Sequence, residues 1–360
     1  PVQQAAHGQQ GAHQLSAHLR STEQFRRCSC SCSVSRCAAA HQSDGSGAAA
    51  ELPVERQASQ LALQLQGHDP VTPPHTHLGL AAASPRHCGV CMSALAWCAN
   101  PLCREEQLSL ISWNIDGLDG DEQPERARSL CSYLTEYSAD VVLLQEMVQP
   151  YMRFMHRRLG DEYAFIEGDW LDGYFTMMLL KKSRLRLLDH HIVNFPKSRM
   201  MRNLLIAQVE FGGQKLSLMT SHFESCKANS AERMRQLRQL MKMMSRAPDD
   251  QTVLFGGDTN LRDHEVAAVG LPGNIVDLWE ELGEPEKCRY TWDTRANTNK
   301  EIPFKCRFRF DRVYLRQAGV DGVPLLEPRS MALIGLEKLR CGMFTSDHWG
   351  IYATFSVTHT

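Results

Sequence analysis

The sequence predicts an α/β sandwich with a polar site at the ends of its strands. Three observations support this fold class. From Leu108 onward, short apolar segments with strand-like alternation follow one another along the chain. A few amphipathic segments, bounded by proline or glycine, lie between them. Several of the apolar segments stop at carboxylate, amide or imidazole side chains, which is where functional groups gather in such folds.

The first 105 residues differ in composition from the rest of the chain. Stretches such as "CSCSCSVSRC" and "SDGSGAAAE" are biased and show no sustained period. Such a composition cannot bury enough apolar area to fold, because chain entropy then dominates. We therefore predict a low-complexity, disordered region over residues 1–105 and a folded domain over residues 106–360.

Eight of the 13 cysteines lie in that first region. The last four, Cys88, Cys91, Cys98 and Cys103, have the spacing Cys-x2-Cys-x6-Cys-x4-Cys, which matches no common zinc finger or ribbon well. A structural zinc site and a biased linker both stay open as alternatives. The five cysteines in the rest of the chain are scattered without paired spacing, which is typical of reduced thiols in the cytosol or nucleus.

The charge balance excludes some classes of protein. The chain has 39 Lys and Arg against 41 Asp and Glu, for a net charge of −2. Any contact with nucleic acid must therefore come from a local basic groove. The sequence contains no apolar run of membrane-spanning length, so no membrane association is expected. The first residues, "PVQQAAHGQQ", lack the basic-then-apolar order of a secretory signal.

Each strand, helix and hairpin is predicted from a feature of its own sequence segment. Alternating or continuous apolar runs predict strands. Pro124 marks the start of one helix, Gly160 the end of the next, and Ser230 the cap of a third. The glycine pair at 212–213 predicts a hairpin. The predicted strands are "LSLISWNID", "ADVVLLQEM", "YAFIEG", "YFTMMLLKK", "NLLIAQVEF", "KLSLMTSHFES", "QTVLFGGDTN", "FRFDRVYLR" and "HWGIYATFSV"; the helices are "PERARSLCSYLTEY", "YMRFMHRRLG" and "SAERMRQLRQLMKMMSRAP".

Polar side chains occur where six of the apolar strands stop. Neighbouring strands lie about 4.8 Å apart, so strand ends that converge would form one compact site. One such ending means little, but six that each carry a carboxylate, amide or imidazole indicate a functional site. They are Asn114 with Asp116, Glu146, His222 with Glu224, Asp258 with Asn260, Asp311, and Asp347 with His348.

This set of side chains is rich in oxygen and suits phosphate chemistry. Magnesium prefers carboxylate and water ligands and takes only one or two carboxylates from the protein, so Glu146 is the candidate ligand. His348, beside Asp347 and close to a second acid such as Asp311, would be an imidazolium that donates to a phosphoryl oxygen.

The stretch "LFGGDTNLRD" brings two glycines next to polar groups. Gly256 and Gly257 allow a close approach of the backbone to a neighbour. In extended geometry, Asp258 and Asn260 would face the same side. An acid there can orient or deprotonate water, and an amide can stabilise charge that develops on phosphorus oxygens.

Each of these residues also has a structural interpretation. Asn114 and Asp116 could form a turn, and Glu146 could pair with an arginine. His222 could be a buried, hydrogen-bonded histidine, and Trp292 could pack in the core as well as line a groove. Their joint occurrence in this order is what favours a site.

The segments "SWNIDGLD", "LLQEM", "TSHFES", "GGDTNLRD", "FRFDRVY" and "SDHWG" together resemble the signature set of the endonuclease/exonuclease/phosphatase superfamily. The resemblance spans roughly residues 106–357. It implies a four-layered α/β sandwich of two mixed β-sheets flanked by helices. It also implies hydrolysis of phosphodiesters or phosphomonoesters with Mg²⁺, for which Mn²⁺ could substitute, so residues 106–360 are expected to be a catalytic domain.

The resemblance also implies roles for particular residues. Asp258 would activate water and Glu146 would hold the metal. The implied catalytic residues are Asn114, Asp258, Asn260, His348 and Asp311. The implied substrate-binding residues are Asp116, His222, Ser225, Arg262 and Trp292. The segment "SHFESCK" has Lys227 at a position where similar members of the superfamily usually have arginine. Lysine keeps the positive charge but loses the bidentate geometry of a guanidinium.

The longer strings "WNIDGLD", "GGDTNLRD", "YTWDT" and "GLEKL" are most similar to one branch of the superfamily. Its members cut the 5′-phosphotyrosyl bond between DNA and trapped topoisomerase II and leave a 5′-phosphate for double-strand break repair. The expected partners are therefore DNA 5′ ends that carry tyrosyl or topoisomerase II adducts, with 5′-tyrosyl RNA as a further candidate, in the nucleus and also the cytoplasm.

Two alternatives stay open. One is an abasic-site or lipid phosphodiesterase of the same superfamily, and the other is a non-catalytic adaptor that retains the fold. Members of the branch normally begin with a ubiquitin-binding helical domain. Residues 1–105 contain no segment that resembles it, so ubiquitin binding is not expected.

Overall fold

The computed structural model describes residues 107–170 and 173–359. The predictions for residues 1–105, a low-complexity region with or without a zinc site, lie outside the described residues. Within the described ranges, no helix combines the length and apolar character needed to cross a membrane. Cys131, Cys288, Cys306 and Cys341 are free thiols, in line with the scattered spacing.

Strands outnumber helices along the described chain. The strands are β1 Gln107–Asn114, β2 Val141–Val148, β3 Tyr163–Glu167, β4 Tyr174–Lys181, β5 Leu185–Asn194, β6 Asn203–Phe211, β7 Gln214–His222, β8 Gln251–Asp258, β9 Val276–Asp277, β10 Trp292–Asp293, β11 Arg307–Phe308, β12 Asp311–Arg316, β13 Leu325–Ile334 and β14 Gly350–Thr358. The α-helices are α1 Gln123–Tyr137, α2 Gln149–Leu159, α3 Ser230–Arg246, α4 Asp263–Val269 and α5 Leu278–Glu281. The strands β3 to β7, and likewise β12 to β14, follow one another without an α-helix between them.

Two six-stranded sheets form the centre of the domain. The first has the order β13-β14-β1-β2-β4-β3 and the second has the order β5-β6-β7-β8-β12-β9. β1 pairs in parallel with β2, and β7 pairs in parallel with β8, whereas the other pairings within the two sheets are antiparallel. Both sheets are therefore mixed, and β10 and β11 form a separate two-stranded ladder.

Successive side chains of a strand point to opposite faces of its sheet, and the apolar ones therefore pack into three separate cores. Leu108 and Leu110 of β1 point into the core between the two sheets. Ile111 and Trp113 lie in the core that the first sheet shares with α1 and α2. A third core, between the second sheet and α3, contains Leu240 of the methionine-rich helix. The order helix, sheet, sheet, helix confirms the predicted four-layered sandwich.

Three edge strands of the six-stranded sheets were not predicted: the long strands β5 and β13 and the two-residue strand β9. β5 is exposed on both faces, so its residues carry no apolar alternation. β13 contains Pro328, and its register with β14 shifts between Pro328 and Ser330. Proline in a strand is confined to edges and bulges, so a segment that contains proline is not predicted as a strand from its sequence pattern.

Two local predictions were wrong in detail. "FRFDRVYLR" forms two strands, β11 and β12, with Arg309 and Phe310 between them. Ser230 is the first residue of α3 and does not cap it, because a short 3-10 turn over Lys227–Asn229 runs directly into the helix. Gly160 does follow α2 as predicted, but its φ of −63° is right-handed.

The glycine pair of β8 permits two close approaches, as predicted. A Cβ on Gly256 would lie 2.8 Å from Leu143 Cδ1 of the opposite sheet. A Cβ on Gly257 would lie 2.3 Å from the carbonyl oxygen of Ser221 on the neighbouring strand. Gly256 therefore lets the two sheets approach each other where β8 ends, and Gly257 lets β7 and β8 lie close together within their sheet.

We expect Gly257→Val to lower the free energy of unfolding by about 3 kcal/mol or more, at or above the upper end of ordinary overpacking penalties, because backbone rather than a side chain blocks the new atoms. Urea unfolding measures this change. The matched control is Gly273→Val, since a Cβ on Gly273 has nothing within 4 Å. Equal unfolding midpoints for the two variants would contradict the prediction.

Candidate active site

The ends of the central strands of both sheets meet at one edge of the sandwich, here called the active-site edge. The parallel pairs β1–β2 and β7–β8 end there. β12 and β14 run antiparallel to them, so Asp311 begins its strand and His348 precedes its strand. The expectation that these two residues end strands was wrong, yet the antiparallel direction brings them to the same edge.

One amide joins the two sheets at this edge. Asn114 at the end of β1 donates through Nδ2 to Glu146 Oε1 at 3.1 Å and to Asp258 Oδ2 at 3.0 Å. Two carboxylate acceptors identify this atom as the amino group of the amide. The Oδ1 atom of Asn114 accepts from the backbone N–H of Asp116 at 3.0 Å. The contact fixes the relative position of the carboxylates that the two sheets supply.

Glu146 combines burial, backbone strain and an oxygen without a partner. Its φ of 56° is in the left-handed region, and the β2–β4 register shifts between Leu144 and Met147. Such a bulge re-aims a side chain, and strain of this kind collects at functional sites. The carboxylate is 2% exposed, and its Oε2 atom accepts no hydrogen bond. Burial, followed by the charge of Asp347, raises the pKa of Glu146.

Asp258 lies between two histidines at the end of β8. Its Oδ2 atom is 3.3 Å from His222 Nε2 and 3.8 Å from His348 Nε2. Burial raises the pKa of Asp258 to about 6, although the charge of His348 lowers it in part. The carboxylate is therefore largely ionised at neutral pH but close to its titration range.

His348 is held as a cation by surrounding carboxylates. Its Nδ1 lies 2.8 Å from Asp311 Oδ2, and its carbonyl accepts from Trp113 Nε1 at 3.0 Å. Burial alone lowers the pKa of His348, but Asp311, Asp258 and Asp347 outweigh burial and raise it well above the usual value. The ring is an imidazolium with Nε2 directed toward Asp258.

His222 has the opposite charge state. Burial, then the charges of Arg202 and His348, lower its pKa well below the usual value, so the ring is neutral. Arg202 donates through Nη1 to Nδ1 at 3.0 Å, which leaves the proton on Nε2 for Asp258. The imidazole thus connects a guanidinium to the central carboxylate.

Arg202 was missed in the sequence. Besides His222, it contacts Ser225 Oγ at 3.2 Å, and its guanidinium lies 5.2 Å from the centre of the Tyr174 ring. It is buried and directly precedes β6. A single arginine before a strand carries no motif signal, because only the fold shows where it points.

Asn260 reaches the site by a turn. β8 ends at Asp258, and Asn260 has a φ of 52° with its N–H donated to Asp258 Oδ1 at 2.9 Å. The extended geometry that we expected is therefore wrong. The Asn260 side chain nevertheless lines the same cleft as Asp258, with Nδ2 3.5 Å from Ser225 Oγ.

An aromatic and basic surface borders one side of the cleft. Trp292 donates through Nε1 to Asp347 Oδ2 at 3.2 Å and stacks on Phe308. The guanidinium of Arg262 lies 5.2 Å from the Phe310 ring centre, and its Nη1 donates to Asn260 O at 2.8 Å. Trp292 therefore packs and also lines the cleft, so both interpretations of it hold.

Asp116 lies behind the cleft. It is fully buried, with a φ of 50°, and Oδ2 is 3.2 Å from Arg126 Nη2 and 2.9 Å from Lys300 Nζ. It lines neither of the cavities at the active-site edge. Sequence reasoning placed Asp116 in the substrate channel, whereas its contacts here are with these two cations.

Two cavities meet at Glu146 and His222. The cleft just described has a volume of about 10 Å³, the size of one water. It also contains Asp258, Asn260, Ser225 and His348. A larger cavity of about 240 Å³ lies on the other side, with Tyr174, Phe195 and Arg202 in its wall. The site thus has a narrow polar centre between an aromatic surface and an amphipathic cavity.

The described residues also contain a cluster that could hold a metal ion. Asp258, Asp311 and His348 offer ligand atoms within 4.8 Å of one another. The histidine is protonated and bonded to Asp311, so it cannot donate a lone pair. Glu146 Oε2 and Asp347 Oδ1 fit a hard cation better, because both are buried carboxylate oxygens without a hydrogen-bond donor.

Comparison with known proteins agrees with this arrangement. The sequence profile of the Endonuclease/Exonuclease/phosphatase family matches residues 111–348. Tyrosyl-DNA phosphodiesterase 2 from Danio rerio is 56% identical over 253 residues, which cover 70% of this chain and 68% of that protein. The Homo sapiens protein of the same name is 51% identical over 250 residues, which cover 69% and 68%.

A crystal structure of the D. rerio protein, complexed with a single-strand DNA product, superposes with a TM-score of 0.67 at 56% identity and covers 69% of this chain and 99% of that one. The family match spans the strands that carry Asn114 through His348. The chain therefore belongs to the endonuclease/exonuclease/phosphatase family, within its tyrosyl-DNA phosphodiesterase 2 group.

Proposed function

We propose that this protein is a Mg²⁺-dependent phosphodiesterase that hydrolyses the 5′-phosphotyrosyl bond between DNA and trapped topoisomerase II, leaving a 5′-phosphate for double-strand break repair. The observation that carries the proposal is the position of the Asp258 carboxylate, which contacts Asn114 and His222 and faces His348. The relatives named above support the substrate class through their names.

Asp258 is the proposed base. Its pKa of about 6 is near the operating pH, which is the best compromise between ionisation and basicity. It would take a proton from a water in the cleft that it shares with Asn260. The water oxygen then forms a bond to phosphorus, and the bond from phosphorus to the tyrosine oxygen breaks.

Two groups, His348 and Asn260, would stabilise the charge that develops on the phosphate. The His348 imidazolium presents Nε2 to the cleft, while Asp311 holds its other nitrogen. The side-chain amide of Asn260 lines the same cleft. Asn114 donates to both Glu146 and Asp258, so it would orient these two carboxylates toward the phosphate and the attacking water. Donors fixed in place before the reaction stabilise the transition state without reorganisation.

Glu146, with Asp347, would hold the metal, which neutralises charge on the phosphate when it is bound. The oxygen-only ligands favour Mg²⁺, and we expect Mn²⁺ to substitute for it. The role of this chain is to hold Glu146 buried and oriented through Asn114.

The two sides of the cleft fit the two halves of the substrate. Phe308 and Arg262 are partly exposed beside the buried Trp292. They offer a ring and a cation against which a base can stack, as in proteins that bind single strands. The 240 Å³ cavity beside Tyr174 and Arg202 has room for a phenol ring. Tyrosine is also a good leaving group, because its pKa is about 10.

5′-Tyrosyl RNA is a further proposed substrate, because stacking of bases does not by itself distinguish ribose from deoxyribose. We also propose a nuclear location, where the DNA substrate lies, with a fraction of the protein in the cytoplasm.

The alternatives are weaker. An adaptor would have no need for an ionised, buried Asp258 between two histidines of opposite charge state. An abasic-site or lipid phosphodiesterase would share the centre of the site, so substrate assays must separate them.

The test is cleavage of a single-stranded oligonucleotide with a 5′-tyrosyl group in Mg²⁺, with release of tyrosine and a 5′-phosphate. An abasic duplex and sphingomyelin vesicles are the comparison substrates, and Asp258→Asn is the inactive control. Cleavage of a comparison substrate alone would support the corresponding alternative, and no cleavage of any would support an adaptor.

We expect Asp311→Asn to shift the alkaline fall of kcat/KM to lower pH. Protonated His348 is the active form, so activity is lost as the pH rises through its pKa. Asp311 is the largest of the charges that raise this pKa, and its removal lowers the pKa. The pH profile of kcat/KM measures the shift, and Asp321→Asn, at an exposed carboxylate, is the control. An alkaline limb that does not move would remove His348 from its proposed role.

A further inference from the structure

A lysine from a loop lies among the acids behind the active-site edge. Lys300 Nζ is 3.0 Å from Asp116 Oδ1 and 2.9 Å from Oδ2, and it also contacts the Asp119 carboxylate. Arg126 Nη2 approaches Asp116 Oδ2 from another direction at 3.2 Å. Asp116 is fully buried, and the Lys300 side chain is 21% exposed. The ammonium bridges two carboxylates, as a divalent ion would.

The loop that carries Lys300, residues 294–306, is docked onto the segment that carries Asp347 and His348. Asn297 Nδ2 donates to Ser346 O at 2.8 Å. Asn299 Nδ2 donates to Phe344 O at 3.0 Å, and its Oδ1 accepts from the Phe344 N–H at 2.8 Å. The backbone directly before Lys300 is thus fixed by hydrogen bonds from two side chains to this segment.

The charges at this edge divide into two groups. Glu146 Oε2 and Asp347 Oδ1 receive no hydrogen bond, so they remain available to a cation. Asp116 already has Arg126 and Lys300. Burial alone would lower the pKa of Lys300, but the charges of Asp116 and Asp347 outweigh burial and raise it, which keeps the ammonium charged. Burial and the charge of Asp347 raise the pKa of Asp116, and Arg126 and Lys300 oppose this rise at contact distance, so the ion pair depends on both cations.

We propose that Lys300 is a built-in cation of the active-site edge, which occupies Asp116 and Asp119 so that the site takes one divalent ion at Glu146 instead of two. The inference rests on the proposed function only in that a divalent ion binds at this edge. Lys300 is a charge-balancing residue, because its ammonium contacts the carboxylates of Asp116 and Asp119 and lines neither cavity at the active-site edge. Its loss would leave Asp116 beside Asp119 and Asp347 as an oxygen-rich set of the kind that Mg²⁺ and Mn²⁺ bind.

The rival explanation is that Lys300 only fastens the 294–306 loop. Lys300→Met removes the charge but keeps most of the length of the side chain, whereas Lys300→Arg keeps the charge. Lys305→Met is the matched control, since Lys305 lies on the same loop and donates to Thr294 O. A fastening role predicts lower stability and no change in the number of bound ions.

The test counts Mn²⁺ bound to the full chain by electron paramagnetic resonance, without substrate. Ions bound elsewhere cancel when variants are compared. Glu146→Gln should lose about one ion relative to the unaltered chain, and Lys300→Met should gain about one, as in a two-metal site. The gained ion should broaden the signal by coupling, because paired ions lie about 3.5–4 Å apart.

Lys300→Arg and Lys305→Met should bind the same number as the unaltered chain, and Asp116→Asn added to Lys300→Met should remove the gained ion. An unchanged count in a folded Lys300→Met variant overturns the proposal. If Lys300→Met does not fold, the spectrum of the unaltered chain decides. Two coupled ions at the active-site edge would overturn the proposal, and a single uncoupled ion would support it. Failure to cleave the tyrosyl oligonucleotide would overturn the proposed function and leave these counts intact.

Discussion

Replacing Asp258 by asparagine is expected to lower kcat by about 10²–10⁴-fold, the usual contribution of a general base, with little change in DNA affinity. The change preserves the size of the side chain and one oxygen acceptor. It removes the carboxylate that accepts from Asn114 at 3.0 Å and from the Asn260 N–H at 2.9 Å. Single-turnover cleavage of a 5′-tyrosyl oligonucleotide and equilibrium binding of the product strand measure the two quantities separately.

The matched control is Asp263→Asn, the same change five positions further along. Asp263 is the first residue of α4, its side chain is 74% exposed, and it pairs with Arg312 at 2.6 Å. This variant should cut at the normal rate. Near-normal single-turnover cleavage by Asp258→Asn would mean that the aspartate only shapes the turn after β8, and another group would have to activate the water.

A loss of fold could imitate a loss of catalysis, and the hydrogen bonds of Asp258 show how to tell them apart. An asparagine must point its amino group at one of the donors that now face the carboxylate, which costs about 1–3 kcal/mol for a buried unsatisfied group. That cost leaves a typical domain folded. Urea unfolding of the variant separates the two effects, because only a change in stability moves its midpoint.

The strand ends were the part of the site that the sequence could reveal. Asn114, Glu146, Asp258 and His348 each follow or precede an apolar segment, and the polar break is visible in one dimension. Their convergence depends only on strand direction within two sheets. Sequence periodicity predicts the strands and the polar residues next to them, but it does not contain the strand directions, so the convergence itself could not be predicted.

Other features depend on backbone angles and loop placement that a sequence pattern does not contain. The left-handed backbone of Glu146 and Asn260 arises from the bulge in β2 and the turn after β8. Arg202 and Lys300 reach the site from loops, and a single basic residue in a loop has no periodic neighbours. Only the packed structure shows that each is directed at a carboxylate or an imidazole.

Glu146→Gln is expected to weaken the apparent affinity for Mg²⁺ by about 100-fold or more, because loss of even an outer-shell partner costs about 10–100-fold. Activity should nearly vanish at low Mg²⁺ and recover in part at high Mg²⁺. In the unaltered chain, Asn114 Nδ2 donates to Glu146 Oε1 at 3.1 Å, and the amide oxygen of glutamine can accept the same hydrogen bond. Glutamine also has the same backbone freedom as glutamate at the left-handed φ of this position. The variant therefore tests the charge of the ligand and little else.

The measurement is initial rate against Mg²⁺ concentration, and Glu162→Gln, whose side chain is 58% exposed, is the control. An unchanged metal dependence in Glu146→Gln would mean that the buried oxygen without a partner serves another purpose. A loss of rate that no amount of Mg²⁺ restores would instead place Glu146 in the reaction itself. Partial rescue is the outcome specific to a metal ligand, since mass action can replace lost affinity but cannot replace a missing base.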